Sequence, residues 1–447
     1  MLQAERDGAR KDEENIFRIA EWDTIYVGPV KSYSLISGWN PAAAPAALRL
    51  ALQHIVEENP LLVGKLKQLS PDPPPLGSWG VDKNERFTID DVLHFDVLPA
   101  DFSTIEHVPK TLAEKMRVIP EKLDEKFAAH SIGSALEIAA KNNPVFRVTV
   151  LTGGDGAAAD PSMQDGIAAY YIELCHYLGD GATYYKVIAQ LNAAFNAALS
   201  GEPLPTLKQP LEWVSAPETI YKPEFLTKRD RELIGPVLGA AWGAKMAALA
   251  PGALDGVEFS FVNAENVEAV KREALDKPEN QDVAFLSTND VVMAGLSEVN
   301  SAFEMSQLVV NMRGRHPGAS PNMAGNFQRP LWFPAQEGAG NPCYFRRLLS
   351  NGRHYHYGAD ELPEAPFRDC ELTVVTNWVG LTHTIVSNGG TLLAHMPVPG
   401  AIALPLPFAV VFKADSGTVG IMHRIPFNAE LKARAAASEL WRRITAE

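Results

Sequence analysis

The residue best placed to do chemistry in this chain is His176, within Tyr170-Tyr171-Ile172-Glu173-Leu174-Cys175-His176-Tyr177-Leu178-Gly179-Asp180-Gly181. Imidazole is the side chain whose ordinary pKa lets it take and return a proton near neutral pH. The bare spacing His-x-x-x-Asp carries little, because the chain has 11 histidines and repeats the pattern at His356-Tyr357-Gly358-Ala359-Asp360. The surroundings separate the two. A β-favouring run, Ile167 to Leu174, leads into His176, and an Asp-Gly turn then hands the chain to a helix. That helix has Tyr184, Val187, Ile188, Leu191 and Phe195 at i, i+3, i+4, i+7 and i+11, and Ser200-Gly201-Glu202-Pro203 ends it. A rigid strand end is a place from which a reactive side chain can face a cleft. His356 lies among Arg353, His354, Tyr355 and Gly358, with prolines soon after, and reads as a surface or loop residue.

Other chemistries find less support. No Gly-x-Ser-x-Gly is present, Ser162 falls in a loop, and Cys175 adjoins His176, so along a strand the two side chains point to opposite faces. Cys175 reads as a small core residue. His354 and His356 are two apart without a carboxylate or cysteine to complete a ligand set, so no metal is expected. No phosphate-cradling glycine loop precedes a helix.

Composition narrows the class of protein. With 447 residues, 46% of them hydrophobic, the chain can bury a large core in two to three folding units. A net charge of -14 argues against nucleic acid as a partner and leaves any anionic ligand to a local basic patch. Cys175, Cys343 and Cys370 are far apart and form no redox or metal spacing, as expected of reduced thiols in a cytoplasmic protein. Met1 to Asn15 is charged and lacks the apolar core of a secretory signal. The nearest approach to a membrane span, Met396 to Phe412, is broken by prolines and a glycine.

The elements that must position His176 follow from the pattern. Short strands are expected at Thr24–Val27 and Ser32–Ile36, and a helix opened by Pro41 and Pro45 stops before Pro60. Ser70 to Gly80 is proline-rich loop, residues 110 to 140 are mixed helix and loop, and Val145–Leu151 pairs with Ile167–Leu174 as a hairpin with a long tip. Residues 201 to 225 hold five prolines and read as a crossover between two halves. Beyond it come a strand at Gly256–Phe261, helices near Ala264–Leu275 and from Ser287, and a strand Leu308–Arg313 ending at Arg313 and Arg315. Strands at Leu372–Trp378, Thr382–Val386, Leu392–Met396, Phe408–Lys413 and Val419–His423 precede a final helix over Ala429–Ile444.

The segment His176-Tyr177-Leu178-Gly179-Asp180-Gly181 resembles the His-x-x-x-Asp-Gly motif of the BAHD-type acyl-CoA-dependent acyltransferases, within the chloramphenicol-acetyltransferase-like superfamily. Further stretches match in order. Asn59-Pro60-Leu61-Leu62-Val63-Gly64-Lys65-Leu66 is similar to the early Pro-Leu-x-x-Gly-Arg-Leu segment, and Ser287-Thr288-Asn289-Asp290 to the Ser-Thr-led helix start. Asn311-Met312-Arg313-Gly314-Arg315 with Gly325-Asn326 is similar to the Asp-x-Arg-x-Arg and Gly-Asn pair, and Thr376-Asn377-Trp378 to the Thr-Ser-Trp segment. Two departures stand out. Ser387-Asn388-Gly389-Gly390 replaces the late Asp-Phe-Gly-Trp-Gly motif, and Cys175 stands where condensation domains and wax-ester synthases have a first histidine.

The resemblance implies an α/β fold of two similar subdomains, each a mixed sheet flanked by helices, with a channel between them. The corresponding division is 1–205, a crossover at 206–226, and 227–447. It implies an acyltransferase that moves an acyl group from acyl-CoA, as co-substrate, to a hydroxyl or amine of a small molecule, working as a monomer. His176 is then the general base and no acyl-enzyme forms. Thr376, with Trp378 near it, offers the oxyanion donor. Asp180 pairs with an arginine and shapes the loop, and Gly181 keeps a side chain out of the channel. Ser287, Thr288, Arg313 and Arg315 are the expected contacts for the CoA phosphates. Relatives that take their acyl group from a carrier protein or a long-chain donor, or that have lost catalysis, are the competing readings.

Overall fold

The computed structural model describes residues 15–19, 28–70, 78–99, 102, 105–153, 166–206, 211–214, 220, 257–301, 305–350, 372–398, 408–424 and 429–445. The expected strand Thr24–Val27, the motif at His356, and Ser162 and Cys370 lie outside them.

In the first part of the chain the strands are β1 (Ile16–Ile19), β2 (Val30–Trp39), β3 (Gly64–Gln68), β4 (Trp79–Arg86), β5 (Leu93–Val97), β6 (Phe146–Thr152) and β7 (Gly166–Leu174). The helices there include α1 (Ala44–Glu58), α2 (Leu112–Ala128), α3 (Ala135–Lys141) and α4 (Gly181–Ser200). The second part adds β8 (Glu212–Trp213), β9 (Glu258–Phe261), β10 (Met305–Asn311), β11 (Met323–Ala324), β12 (Gln328–Pro334), β13 (Leu372–Asn377), β14 (Thr391–Pro397), β15 (Phe408–Lys413) and β16 (Val419–His423). Its helices include α5 (Ala264–Leu275), α6 (Thr288–Val299), α7 (Pro342–Ser350), α8 (Ala429–Ala437) and α9 (Glu439–Thr445).

Two mixed sheets carry the molecule. The first has the order β14-β2-β7-β6-β5 and the second β12-β10-β13-β15-β16-β9. A small sheet, β1-β4-β3, and a two-stranded pair, β11-β8, complete the described strands. β7 lies between β2 and β6 and both its faces are covered, Tyr171 stacking on Phe127 of α2 and Tyr170 meeting Trp39, which stacks on Phe195 of α4, so it reads as a nearly continuous apolar run.

Strand periodicity decides how the halves meet. Val374, Phe408, Val410 and Phe412 join the core of the first half, whereas Val375, Ala409 and Val411 join a second core with α5, α6 and α9. Successive residues thus face opposite sides of the second sheet, one towards the first half and one towards its own helices. β14 ties the halves further: it lies late in the chain yet pairs antiparallel with β2. A division by sequence at 206–226 therefore differs from the division by sheet at this strand.

Two expected elements differ. Thr382–Val386 forms no strand, because its backbone groups are taken elsewhere. Thr382 N–H donates to Trp378 O (2.8 Å), Val386 N–H to Asn192 Oδ1 (2.9 Å), and Asn196 Nδ2 to Val386 O (2.9 Å). The single final helix is two, α8 and α9. Ser438 Oγ accepts from Trp441 N–H (3.1 Å) and donates to Glu298 Oε2 (2.6 Å), so a serine that prefers capping starts a new helix.

Candidate active site

His176 stands one residue beyond the last bonded step of the first sheet. Cys175 N–H still donates to Val145 O (2.7 Å), and a turn closed by Leu178 N–H on Cys175 O (2.9 Å) follows. Tyr177 and Leu178 are buried on the far side of it, so the ring is anchored from both flanks while remaining half-buried itself. Burial pulls the His176 pKa below the ordinary imidazole range; a bond to its own backbone, the negative field of Asp180 and the Asn326 contact oppose that pull. The ring is thus neutral at neutral pH, the form a base requires. Cys175 is buried and its thiol is pushed up to about 12, which leaves it a core group without nucleophilic character.

The second half reaches over to this strand end. Asn326 Oδ1 lies 3.1 Å from His176 Nδ1, and Asn326 Nδ2 donates to His176 O (2.8 Å). Asp180 caps α4 by accepting from Thr183 N–H (2.9 Å), and its other oxygen takes Arg313 Nη1 (2.9 Å), with both side chains 2% exposed. Asp180 is thus paired with an arginine of the second half.

Arg313 departs from expectation. Its Nε donates to Met323 O (2.6 Å), Nη1 to Asp180 Oδ2 and Asn311 Oδ1 (3.1 Å), and Nη2 to Thr183 Oγ1 and Gly325 O (both 2.8 Å). A guanidinium has five N–H donors, and all five are spent inside the protein, so none remains for a phosphate. Its face covers the Phe327 ring at 4.9 Å. Beside it, Lys186 is pushed down to about 8 by burial and by the Arg313 charge, and donates to Pro321 O. Arg315, two residues on, is exposed.

Gly181 and Trp378 meet directly. A Cβ on Gly181 would sit 3.0 Å from Trp378 Cε2 and 3.1 Å from Nε1, so glycine is what lets the indole approach the start of α4. Trp378 N–H donates to Val411 O (2.7 Å), and its ring meets Tyr185 edge-on at 5.9 Å. Thr376, two residues before Trp378 on β13, shares the face of Val374 that turns to the first half and is partly exposed. Ser287 caps α6 through a reciprocal pair with Asp290, and Thr288 Oγ1 receives Lys271 Nζ (3.2 Å). Asn377 Nδ2 donates to Asn289 Oδ1, so the start of α6 is tied to the end of β13.

The structure therefore brings His176, Asp180, Gly181, Trp378 and Arg313 into one contact network, with Ser287 and Thr288 linked to it through Asn289 and Asn377. Sequence reasoning passed over Thr183, Lys186 and the buried pair Tyr185–His395, whose Oη and Nε2 are 2.7 Å apart. Only a fold could reveal the bonds of Thr183 to Gly325, Lys186 to Pro321 and Tyr185 to His395, since these partners are distant in sequence. Among the described residues no group of three or more His, Cys, Asp or Glu could hold a metal ion, and no helix is long and apolar enough to cross a membrane.

This architecture recurs in solved structures. TRI101 of F. sporotrichioides, in complex with coenzyme A and T-2, aligns with a TM-score of 0.61 at 14% identity, covering 96% of this chain and 98% of its own. Polyketide synthase associated protein 5 of Mycobacterium tuberculosis aligns with a TM-score of 0.57 at 14% identity over 96% and 97%. The first condensation domain of the calcium-dependent antibiotic synthetase aligns with a TM-score of 0.53 at 13% identity over 94% and 92%. The chain shares the fold of these structures, with two mixed sheets flanked by helices. No protein-family model and no curated protein matches the sequence. Identities this low speak to the fold alone, and the likeness extends across all three neighbours.

Proposed function

We propose that this protein transfers an acyl group from an acyl-CoA thioester to a hydroxyl group of a small molecule, with His176 as general base. The observation that carries the reading is a half-buried imidazole at the end of β7, gripped by a side chain of the opposite half. Nε2 accepts the acceptor's proton as its oxygen attacks the thioester carbonyl. The negative charge that develops on that carbonyl oxygen needs a donor, and the Thr376 hydroxyl on the inward face of β13 supplies it. The tetrahedral species collapses, the C–S bond breaks, and the imidazolium returns its proton to the CoA thiolate. No acyl-enzyme is required, in keeping with the inert Cys175.

For the CoA phosphates the candidates at the start of α6 are Thr288 and the Lys271 ammonium that meets its hydroxyl, whereas Ser287 gives both its N–H and its hydroxyl to Asp290. The exposed Arg315 is a further cation for the same group, whereas Arg313 serves the brace. A carrier-protein donor is the second reading, supported by the likeness to a condensation domain.

Thiol release from a panel of acyl-CoAs, with and without pooled alcohols, tests the proposal. Acceptor-dependent release supports CoA as donor. Inertness towards every CoA thioester combined with turnover of a loaded carrier protein would replace it with the second reading. Inertness towards both would remove the transferase reading.

A further inference from the structure

We propose that Asn326 is a positioning residue for His176: from the second half of the molecule its amide fixes which ring nitrogen carries the proton. The geometry stands without any assumption about substrate. Its catalytic consequence rests on the acyl-transfer reading.

The argument begins with the two ends of one amide. Asn326 Nδ2 donates to His176 O at 2.8 Å, and a carbonyl can only accept, so the nitrogen end of the amide is identified. The end that faces His176 Nδ1 at 3.1 Å is then the oxygen Oδ1, also an acceptor only. An acceptor facing Nδ1 demands a hydrogen on it, and the bond from the ring to its own backbone favours the same tautomer, so the amide adds to that bond. In the neutral ring the lone pair is therefore on Nε2, the nitrogen assigned above to take the acceptor's proton. Asn326 is 2% exposed, so water does not compete effectively for either bond.

The amide is itself held. Gly325 has a φ of +141°, and a Cβ there would lie 2.5 Å from Val214 O, so only glycine fits. Gly325 O accepts from Arg313 Nη2 (2.8 Å), Thr183 Oγ1 (2.8 Å) and Asp180 N–H (3.2 Å), and Gly325 N–H donates to Thr183 Oγ1 (3.0 Å). The brace between Asp180 and Arg313 thus ends on the residue next to Asn326. Asp180 acts on His176 by a route through the other half: carboxylate, guanidinium, Gly325, Asn326, imidazole. Among the described residues the charged groups near the ring include Asp180, which is paired with Arg313, with Lys186 beyond Arg313. The chain neighbours Cys175 and Tyr177 are both held neutral by burial.

The test uses the full chain with ¹⁵N-labelled histidine and long-range ¹H–¹⁵N spectra, the His176 signals being assigned by their loss in His176→Gln. The expected result is a neutral His176 with Nδ1 protonated and Nε2 bare, and a shift towards protonated Nε2 in Asn326→Ala. A wild-type ring protonated on Nε2, or a tautomer unchanged in Asn326→Ala, overturns the proposal. In turnover, Asn326→Ala should lower kcat by about 100-fold with KM little changed. Asn326→Asp, which keeps the shape and places an anion against Nδ1–H, should move the acid limb of the kcat profile to higher pH. An acid limb that stays put in a folded Asn326→Asp protein also counts against it. The spectra report on the clamp even in a protein that releases no thiol, so failure of the transferase reading is told apart from failure of this one.

Discussion

Asp180 and Asp290 occupy the same kind of place, each a buried carboxylate at the start of a helix with an arginine upon it. Asp180 uses both oxygens, one on Thr183 N–H and one on Arg313. Asp290 concentrates everything on Oδ2, which receives Ser287 N–H (2.7 Å), Ser287 Oγ (2.8 Å) and Arg346 Nε (3.0 Å), while its Oδ1 has no hydrogen-bond partner among the described residues. The arginines differ more. Arg313 is 2% exposed and comes from the opposite half, with its remaining donors on Met323, Asn311, Thr183 and Gly325. Arg346 is 19% exposed, belongs to the same half as Asp290, and lies over the exposed ring of Phe285. An acid at a helix start with an arginine is by itself a local cap. It becomes part of a site when the arginine joins two halves and its other hydrogen bonds hold the loop that grips the base.

That contrast sets an order of effects. Arg313→Ala leaves a buried carboxylate unpaired and frees Gly325, and should cost about 3–5 kcal/mol of stability in urea unfolding. Arg346→Ala also takes the arginine from a buried carboxylate, but Asp290 keeps both bonds from Ser287 and the partly exposed position admits water, so the cost should be smaller, about 1–2 kcal/mol. Equal losses would dissolve the distinction between clamp and cap.

Acid should act on both halves through two other histidines. His395, between Ser34 Oγ and Tyr185 Oη, is pulled down by burial to about 3, and His423, bonded to Ser260 Oγ, to about 4. Below the ordinary imidazole pKa of about 6.5 the unfolded chain binds protons that these folded rings refuse. Stability should therefore hold above that pH and fall as pH drops towards 4 and then 3. The slope is about 1.4 kcal/mol per pH unit for each group that lags. A double His395→Gln, His423→Gln protein should flatten the slope between pH 6 and 4, as read by urea midpoints across pH. A slope unchanged by both substitutions would show that other groups set it. The smallest effect belongs to the local cap alone: Ser287→Ala should cost about 1 kcal/mol, measurable as a lower midpoint, and leave the His176 environment untouched.

Much of this is legible in the sequence where the physics is local. The strand before His176, the helix from Gly181 and the capped start at Ser287 each follow from a periodic pattern bounded by a turn or a capping residue, and the structure has them at Gly166–Leu174, Gly181–Ser200 and Thr288–Val299. What escapes is whatever depends on a distant partner. Leu392–Met396 reads as a strand, but nothing local assigns it to β2 of the first sheet. Thr382–Val386 has strand-like residues, yet Asn192 and Asn196 of α4 take its hydrogen bonds. Arg313 is expected at the CoA phosphates as a basic side chain of the second half, and only the fold shows its five donors consumed. Asn326 is visible as half of a Gly-Asn pair, but its hold on a ring 150 positions earlier is not.

The central claim is that His176 is the base for acyl transfer. The most direct measurement is acceptor-dependent thiol release by His176→Gln beside wild type, with both confirmed folded by matching urea midpoints. The account predicts a fall in kcat of about 10²- to 10⁴-fold at neutral pH. A His176→Gln protein that turns over at the wild-type rate would contradict it.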